Sequence, residues 1–189
     1  MEPTAAVKKR ISTRDLVYVA VFTALMAICA WIAIPTSVPF TLQTLGVFLA
    51  VGLLGGRRGT LAVLVYLLLG AVGAPVFSGF TGGIGALVGT TGGYILGFLL
   101  SALLMWALEA ALGRELWVFA LSMVLGLIVC YAFGTAWYMA LYTQANGPVS
   151  LWTVLGWCVF PFLIPDFLKM ALALAITARL RRHIQPVRG

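Results

Sequence analysis

From Leu16 to Leu180 the chain is a succession of apolar stretches, broken only by short connections that are polar, glycine-rich or charged. This pattern limits the available folds more than any other feature. Stretches of roughly 17 to 25 apolar residues cross a hydrocarbon layer of about 30 Å as helices, and the length leaves room for about six with short connections. No room remains for a soluble domain. The chain is 62% hydrophobic and 9% charged, against roughly 25% charged in a soluble domain. It reads as an all-α integral membrane protein.

Glycines, prolines and charge clusters divide one membrane domain, residues 1–189, into a basic segment at 1–15, helices at about 16–34, 41–54, 60–77, 94–112, 116–142 and 151–180, and a basic tail at 181–189. Lys8, Lys9, Arg10 and Arg14 precede the first helix, Arg57 and Arg58 follow the second, Arg114 follows the fourth, and Arg179, Arg181, Arg182 and Arg188 follow the sixth. All four clusters fall on one side of a six-helix chain. The alternate connections, 35–40, 78–93 and 143–150, carry no charged residue, as expected if both termini are cytoplasmic. Eleven of twelve basic residues obey the rule, and Lys169 does not.

The net charge of +7 comes as small clusters between apolar runs without a continuous basic face, so nucleic acid is not an expected partner. The stretch 16–34 is longer than a signal-peptide core and lacks a small-x-small cleavage site, which makes it a retained first helix. Cys29, Cys130 and Cys158 are scattered in apolar surroundings without C-x-x-C spacing and read as packing residues. His183 is the only histidine, too isolated for a zinc site or a triad. Trp117, Trp137, Trp152 and Trp157 fall near helix ends, as interfacial anchors or as packing aromatics.

The run "FPFLIPDFLKMALALAI", residues 160–176, holds two charges in an otherwise apolar span. Pro161 and Pro165 disfavour a straight helix, and a proline just before Asp166 suits the first turn of a new helical segment, whose free amides favour a carboxylate. Counted from Arg179 at about 1.5 Å per residue, Asp166 lies roughly 20 Å and Lys169 roughly 15 Å above the cytoplasmic boundary. Three residues apart, they share a helix face, with Lys169 leaning toward Asp166. A central charge costs roughly 2.5 to 3.5 kcal/mol, so something must offset the pair. It is either a packing ion pair or part of a ligand pocket, and intramembrane ionisable residues default to the second reading.

Other unusual segments point to the same outer half. In "IPTSVPFTLQT", Thr41, Gln43 and Thr44 bring neutral hydrogen-bonding groups beside Phe40. "SGFTGGIGALVGTTGGYILG" holds eight glycines between Gly79 and Gly97, which permit close approach of another helix or of a bound molecule. It is not a phosphate loop, because no Lys-Ser or Lys-Thr follows the glycines. Short or interrupted spans are where transporter sites form. A pocket of Asp166, Lys169, Gln43, Tyr94 and nearby aromatics suits a small amphipathic ligand that donates to a carboxylate and accepts from an ammonium.

Two blocks carry a family resemblance: "VPFTLQTLGVFLAVGLLGGRRGTLAVLVYLLLGAVGAPVFSGFTGGIGALVGTTGGYILGF", residues 38–98, and "PFLIPDFLKMALA", residues 161–173. They resemble BioY, the biotin-capturing S component of energy-coupling-factor (ECF) transporters. The resemblance extends over most of the chain. Two departures stand out: Thr90 where the family usually has proline, and Ile164-Pro165 where it usually has Pro-Gly.

The resemblance implies an ECF S-component-like bundle of six transmembrane helices in a bacterial or archaeal cytoplasmic membrane. It would capture biotin from outside and dock among membrane lipids on a transmembrane coupling subunit with two ATP-hydrolysing subunits. No cofactor or enzymatic activity is implied, and the chain has no Walker motif of its own. The family's site maps onto Asp166 and Lys169 as ureido or carboxylate partners, with Gln43, Thr41, Phe40, Phe80, Thr91 and Tyr94 as wall residues inferred from position. Ala20 and Ala24 match the family's A-x-x-x-A docking spacing, although Ala107 with Ala111, Ala136 with Ala140 and Ala171 with Ala175 fit equally well.

Two other function classes fit the sequence less well. An intramembrane enzyme would need more ionisable groups than Asp166, Lys169 and Glu109 supply. A solitary facilitator for biotin or another small vitamin would need a polar stripe through the cytoplasmic halves, which are nearly all apolar.

Overall fold

The computed structural model describes residues 12–34 and 39–181. The basic residues Lys8, Lys9, Arg10, Arg182 and Arg188, the lone His183, and residues 35–38 of the first uncharged connection lie outside the described residues. The described residues form eight α-helices, α1 (Thr13–Trp31), α2 (Gln43–Leu54), α3 (Gly56–Ala71), α4 (Ile84–Val88), α5 (Gly92–Leu112), α6 (Leu116–Asn146), α7 (Leu151–Cys158) and α8 (Phe160–Leu180), and a short 3-10 turn at Ser78–Phe80. A two-residue antiparallel ribbon, β1 (Ala33–Ile34) with β2 (Phe40–Thr41), joins α1 to α2.

Among the described residues four helices, α1, α5, α6 and α8, are long and apolar enough to cross a membrane. Helix α2 is shorter, at 12 residues, and 11 of them are buried. A helix that is apolar all round belongs in a core. It packs against α1, α3, α5 and α8, so its apolar sequence reflects neighbouring helices more than lipid. The outward faces of the long helices carry Leu16, Val21, Ile128, Ile164 and Leu168, all well exposed, as suits a surface solvated by acyl chains.

Where the second span ends, a single residue separates α2 from α3. Gly55 stands at φ 86° and ψ 163°, a region essentially restricted to glycine. A Cβ there would also sit 2.4 Å from Arg114 Nη2. Helix α3 therefore begins at Gly56, four residues before the expected start, and ends at Ala71. Beyond it the chain turns back, and Phe77 packs its ring on Gly70, where a Cβ would lie 2.0 Å from Phe77 Cζ. The glycines of α5 and α6 serve close helix packing. Gly93 lies under Trp137, Gly97 against Cys130, and Gly134 under the Tyr94 ring.

The expected span at 151–180 is broken at Val159 (φ −126°, ψ −57°), with Pro161 in the first turn of α8. Pro165 lies inside α8. This corrects the expectation that Asp166 opens a helical segment: the helix already runs from Phe160 before it, so the helix-terminal amides lie elsewhere and other groups must stabilise its charge.

Charge marks one end of the bundle. Ser12 and Asp15 form a reciprocal capping box at the start of α1, and Asp15 pairs with Arg58 at 2.9 Å. At the far ends of α5 and α8, Glu109 pairs with Arg114 at 3.1 Å and accepts from the Gly56 amide at 2.9 Å. Arg181 donates to the Arg114 carbonyl. These contacts tie α1, α3, α5 and α8 at the arginine-bearing end. Replacing Gly55→Ala is expected to cost about 1 to 3 kcal/mol through backbone strain alone, read as a lower melting temperature of the detergent-solubilised protein; an unchanged melt would contradict this account of the α2–α3 joint.

Candidate functional site

At the opposite end, the carboxylate of Asp166 is 2% exposed and Lys169 is 8% exposed. Their spacing of one helical turn brings Lys169 Nζ 2.7 Å from Asp166 Oδ1. The same oxygen accepts from Thr44 Oγ1 at 2.9 Å, and Oδ2 accepts from the Tyr131 hydroxyl. Three donors from α2, α6 and α8 thus surround one carboxylate. Charge-assisted hydrogen bonds of this kind are the strong ones, and they replace the hydration that the apolar interior removes.

Asp166 is therefore well supplied, and Lys169 is not. An ammonium has three donors, and among the described residues Asp166 is the one partner of Lys169. Both side chains line a cavity of about 600 Å³, within the range of about 300 to 1,000 Å³ common for small-ligand sites. The pair is thus not sealed off from open space. Its neighbours on the wall are aromatic or neutral: Phe77, Phe98, Phe162, Tyr94 and Tyr131 beside Thr41, Gln43 and several threonines of the 77–91 segment. A ligand there meets apolar faces, one ammonium with spare donors, and a few fixed hydrogen-bonding groups.

Of the residues singled out from sequence, Asp166, Lys169, Gln43, Thr41, Thr91 and Tyr94 come together on this wall. Phe40 stands one layer back, stacked on Phe162 with ring centroids 4.2 Å apart. Phe80 does not reach the wall. It stacks on Trp31 at 5.1 Å and is 64% exposed. Ala20 and Ala24 lie on the exposed face of α1, but so do the other three alanine pairs on theirs, and exposure does not separate them.

The sequence marks Thr44 only as a polar neighbour of Gln43 and gives no sign of Tyr131, Phe98 or Phe162. A tyrosine within an apolar span has no pattern that reveals a carboxylate 35 positions away. Cys130 and Cys158, read as packing residues, are buried and free, and they also line the cavity. Trp137, read as an interfacial or packing aromatic, donates from Nε1 to the Gly89 carbonyl at 3.0 Å and so holds the glycine-rich segment to α6. In that segment Gly85 faces open space in the cavity, whereas Gly93 and Gly97 serve packing.

The family model for the BioY family matches residues 4–186. The chain belongs to the BioY family. It is 41% identical to the biotin transporter BioY of Thermotoga maritima over 170 residues, covering 89% of this chain and 96% of that protein. It is 40% identical to a probable biotin transporter BioY of Pyrococcus horikoshii, covering 89% and 96%. Among solved structures, the S component for biotin from an ECF-type ABC transporter superposes with a TM-score of 0.80 at 30% identity, covering 94% of this chain and 95% of the other. BioY proteins are transporter components, not enzymes, and the chain is a multi-pass protein of the cytoplasmic membrane.

Within this BioY chain, Thr44→Val and Tyr131→Phe each remove one donor from Asp166. Each is expected to lower stability by about 1.5 to 3 kcal/mol, while Thr90→Val, an exposed wall position, changes it by less than about 0.5 kcal/mol. Thermal melts of the three purified variants check this. Equal melting for all three would show that the carboxylate does not depend on its hydroxyl partners.

Proposed function

We propose that this chain is the substrate-capturing S component of an ATP-driven vitamin transporter, and that biotin is the molecule its cavity takes. The observation that carries the reading is the buried Asp166–Lys169 pair on the wall of a roomy, otherwise near-neutral cavity, in a chain whose relatives are described as biotin transporters. Biotin fits that chemistry. Its ureido ring offers two N–H donors and a carbonyl, its tail ends in a carboxylate, and the remainder is apolar. Asp166, Lys169, Gln43, Thr41, Thr91 and Tyr94 are the proposed contacts, with Phe40 supporting the wall through Phe162. Phe80 acts only indirectly, by clasping the 77–91 segment to Trp31.

We also propose six membrane crossings, with α2 and α3 as the short second and third, and α7 with α8 as the interrupted sixth. Both termini are then cytoplasmic, which puts the arginine-bearing end inside and the cavity outside. A reporter fused after Gly189 that is active only in the cytoplasm tests this. Activity restricted to a reporter that functions outside the membrane would reverse the orientation.

Energy comes from separate subunits, a transmembrane coupling protein and two ATPases, with the α1 face around Ala20 and Ala24 as the docking surface. Uptake of labelled biotin is expected to fall when those subunits are deleted from the host. Undiminished uptake would mean that the chain transports alone.

Calorimetric titration tests the site. Wild-type protein is expected to bind biotin, and Asp166→Asn to bind it at least about tenfold more weakly, because the substitution leaves the Lys169 ammonium without its counter-charge, a loss worth more than about 1.4 kcal/mol. Native affinity in the purified variant would remove the carboxylate from the site.

A further inference from the structure

Tyr66 does not line the cavity, yet it terminates a directed chain of hydrogen bonds that begins on the cavity wall. It is 1% exposed, on α3, with its ring edge-on to Phe77 at 5.5 Å. Its hydroxyl donates to the Val76 carbonyl at 3.0 Å and accepts from Gln43 Nε2 at 2.6 Å. Gln43 Oε1 in turn accepts from Thr41 Oγ1 at 3.0 Å, while Thr41 Oγ1 accepts from the Gln43 backbone amide at 3.2 Å.

The direction of this chain is forced from its inner end. A backbone carbonyl can only accept, so the single Tyr66 proton is committed to Val76. Tyr66 must then accept from Gln43, which requires the NH₂ side of the carboxamide to face it. The oxygen side is left for Thr41, whose Oγ1 accepts from the Gln43 backbone amide on a lone pair and donates its one proton to Gln43 Oε1. Turning the carboxamide over would present oxygen to Tyr66 and draw its proton away from Val76. That buried carbonyl would then lose its partner, which carries a desolvation penalty.

We infer that Tyr66 is a positioning residue for the ligand site: by donating to Val76 it fixes which way the Gln43 carboxamide presents its remaining N–H and lone pair to a bound molecule. The inference rests on the reading of this cavity as the biotin site. It adds a specificity determinant that touches no ligand. A ligand whose ring carries adjacent donors and an acceptor distinguishes the two faces of a carboxamide, and an amide free to turn loses that discrimination. The same hydroxyl also ties the wall segment at Val76 to the start of α2, so one buried tyrosine sets both the group and the segment facing it.

The test is a double-mutant cycle on biotin affinity, measured by calorimetry with Tyr66→Phe, Gln43→Leu and the double variant. Tyr66→Phe keeps the ring on Phe77 and is expected to weaken biotin binding about tenfold, the effect of one lost hydrogen bond near 1.4 kcal/mol. In the Gln43→Leu background the same change is expected to cost less than about twofold, because the group it orients has gone. A merely structural role for Tyr66 would give the same loss in both backgrounds, and that result overturns the inference while leaving biotin as the ligand. Wild-type protein that binds no biotin overturns the functional reading, and this inference with it. Should Tyr66→Phe fail to fold, Thr41→Val breaks the chain at its outer end, and because Thr41 also lines the cavity its effect is read in the wild-type and Gln43→Leu backgrounds. A loss that shrinks to less than about twofold in Gln43→Leu supports action through the carboxamide, and an equal loss in both backgrounds overturns the inference.

Discussion

The bundle closes around one carboxylate. Asp166 is almost wholly buried, and its charge is tolerable because α2 supplies Thr44, α6 supplies Tyr131 and α8 supplies Lys169. In a low-dielectric interior such bonds are strong when complete and costly when one is missing. The three helices are therefore held in one mutual arrangement, and the side chains that face the cavity inherit it. Because Asp166 is satisfied by the protein itself, the spare capacity falls to Lys169, whose other donors remain for whatever occupies the cavity.

The two ends of the molecule solve opposite problems. At one, Asp15, Arg58, Glu109, Arg114 and Arg181 pair with each other and with backbone groups, which suits a boundary between apolar and aqueous surroundings. At the other, the cavity wall is built from phenylalanines, threonines, tyrosines, a glutamine and glycine backbone, with the buried pair as its only charges among the described residues. Neutral groups can be fixed in place by short local hydrogen bonds, as Thr41, Gln43 and Tyr66 are, without the desolvation that more charges would require. The transport reading depends on this asymmetry, since a small solute needs one end that admits it.

Much of the candidate cavity wall was legible because its chemistry departs from its surroundings. A D-x-x-K spacing in an apolar helix stands out, and its periodicity alone puts both groups on one face. Polar residues flanking Phe40 and a dense run of glycines stand out likewise, and Gln43, Thr41, Thr91 and Tyr94 followed from them. The rest was not legible because it depends on distance along the chain. Thr44 and Asp166 are 122 positions apart, and nothing in either stretch announces the other. Phe80 failed as a wall residue for a related reason. Its backbone takes a positive φ of 57°, and its ring leans on Trp31, a turn geometry that composition does not reveal.

The sequence by itself determined that the chain is helical and membrane-embedded, which residues carry charge into the apolar layer, and how basic residues are distributed between connections. These follow from hydrophobic run length and helical period, both local quantities. Only the tertiary structure decided that Asp166 is held by hydroxyls on two other helices instead of by a helix terminus. It also decided that α2 is a core element turned at Gly55, and that Gln43 answers to a tyrosine outside the cavity. Such features are fixed by the meeting of remote segments, where burial makes each hydrogen bond count and a single glycine sets how closely two backbones can approach.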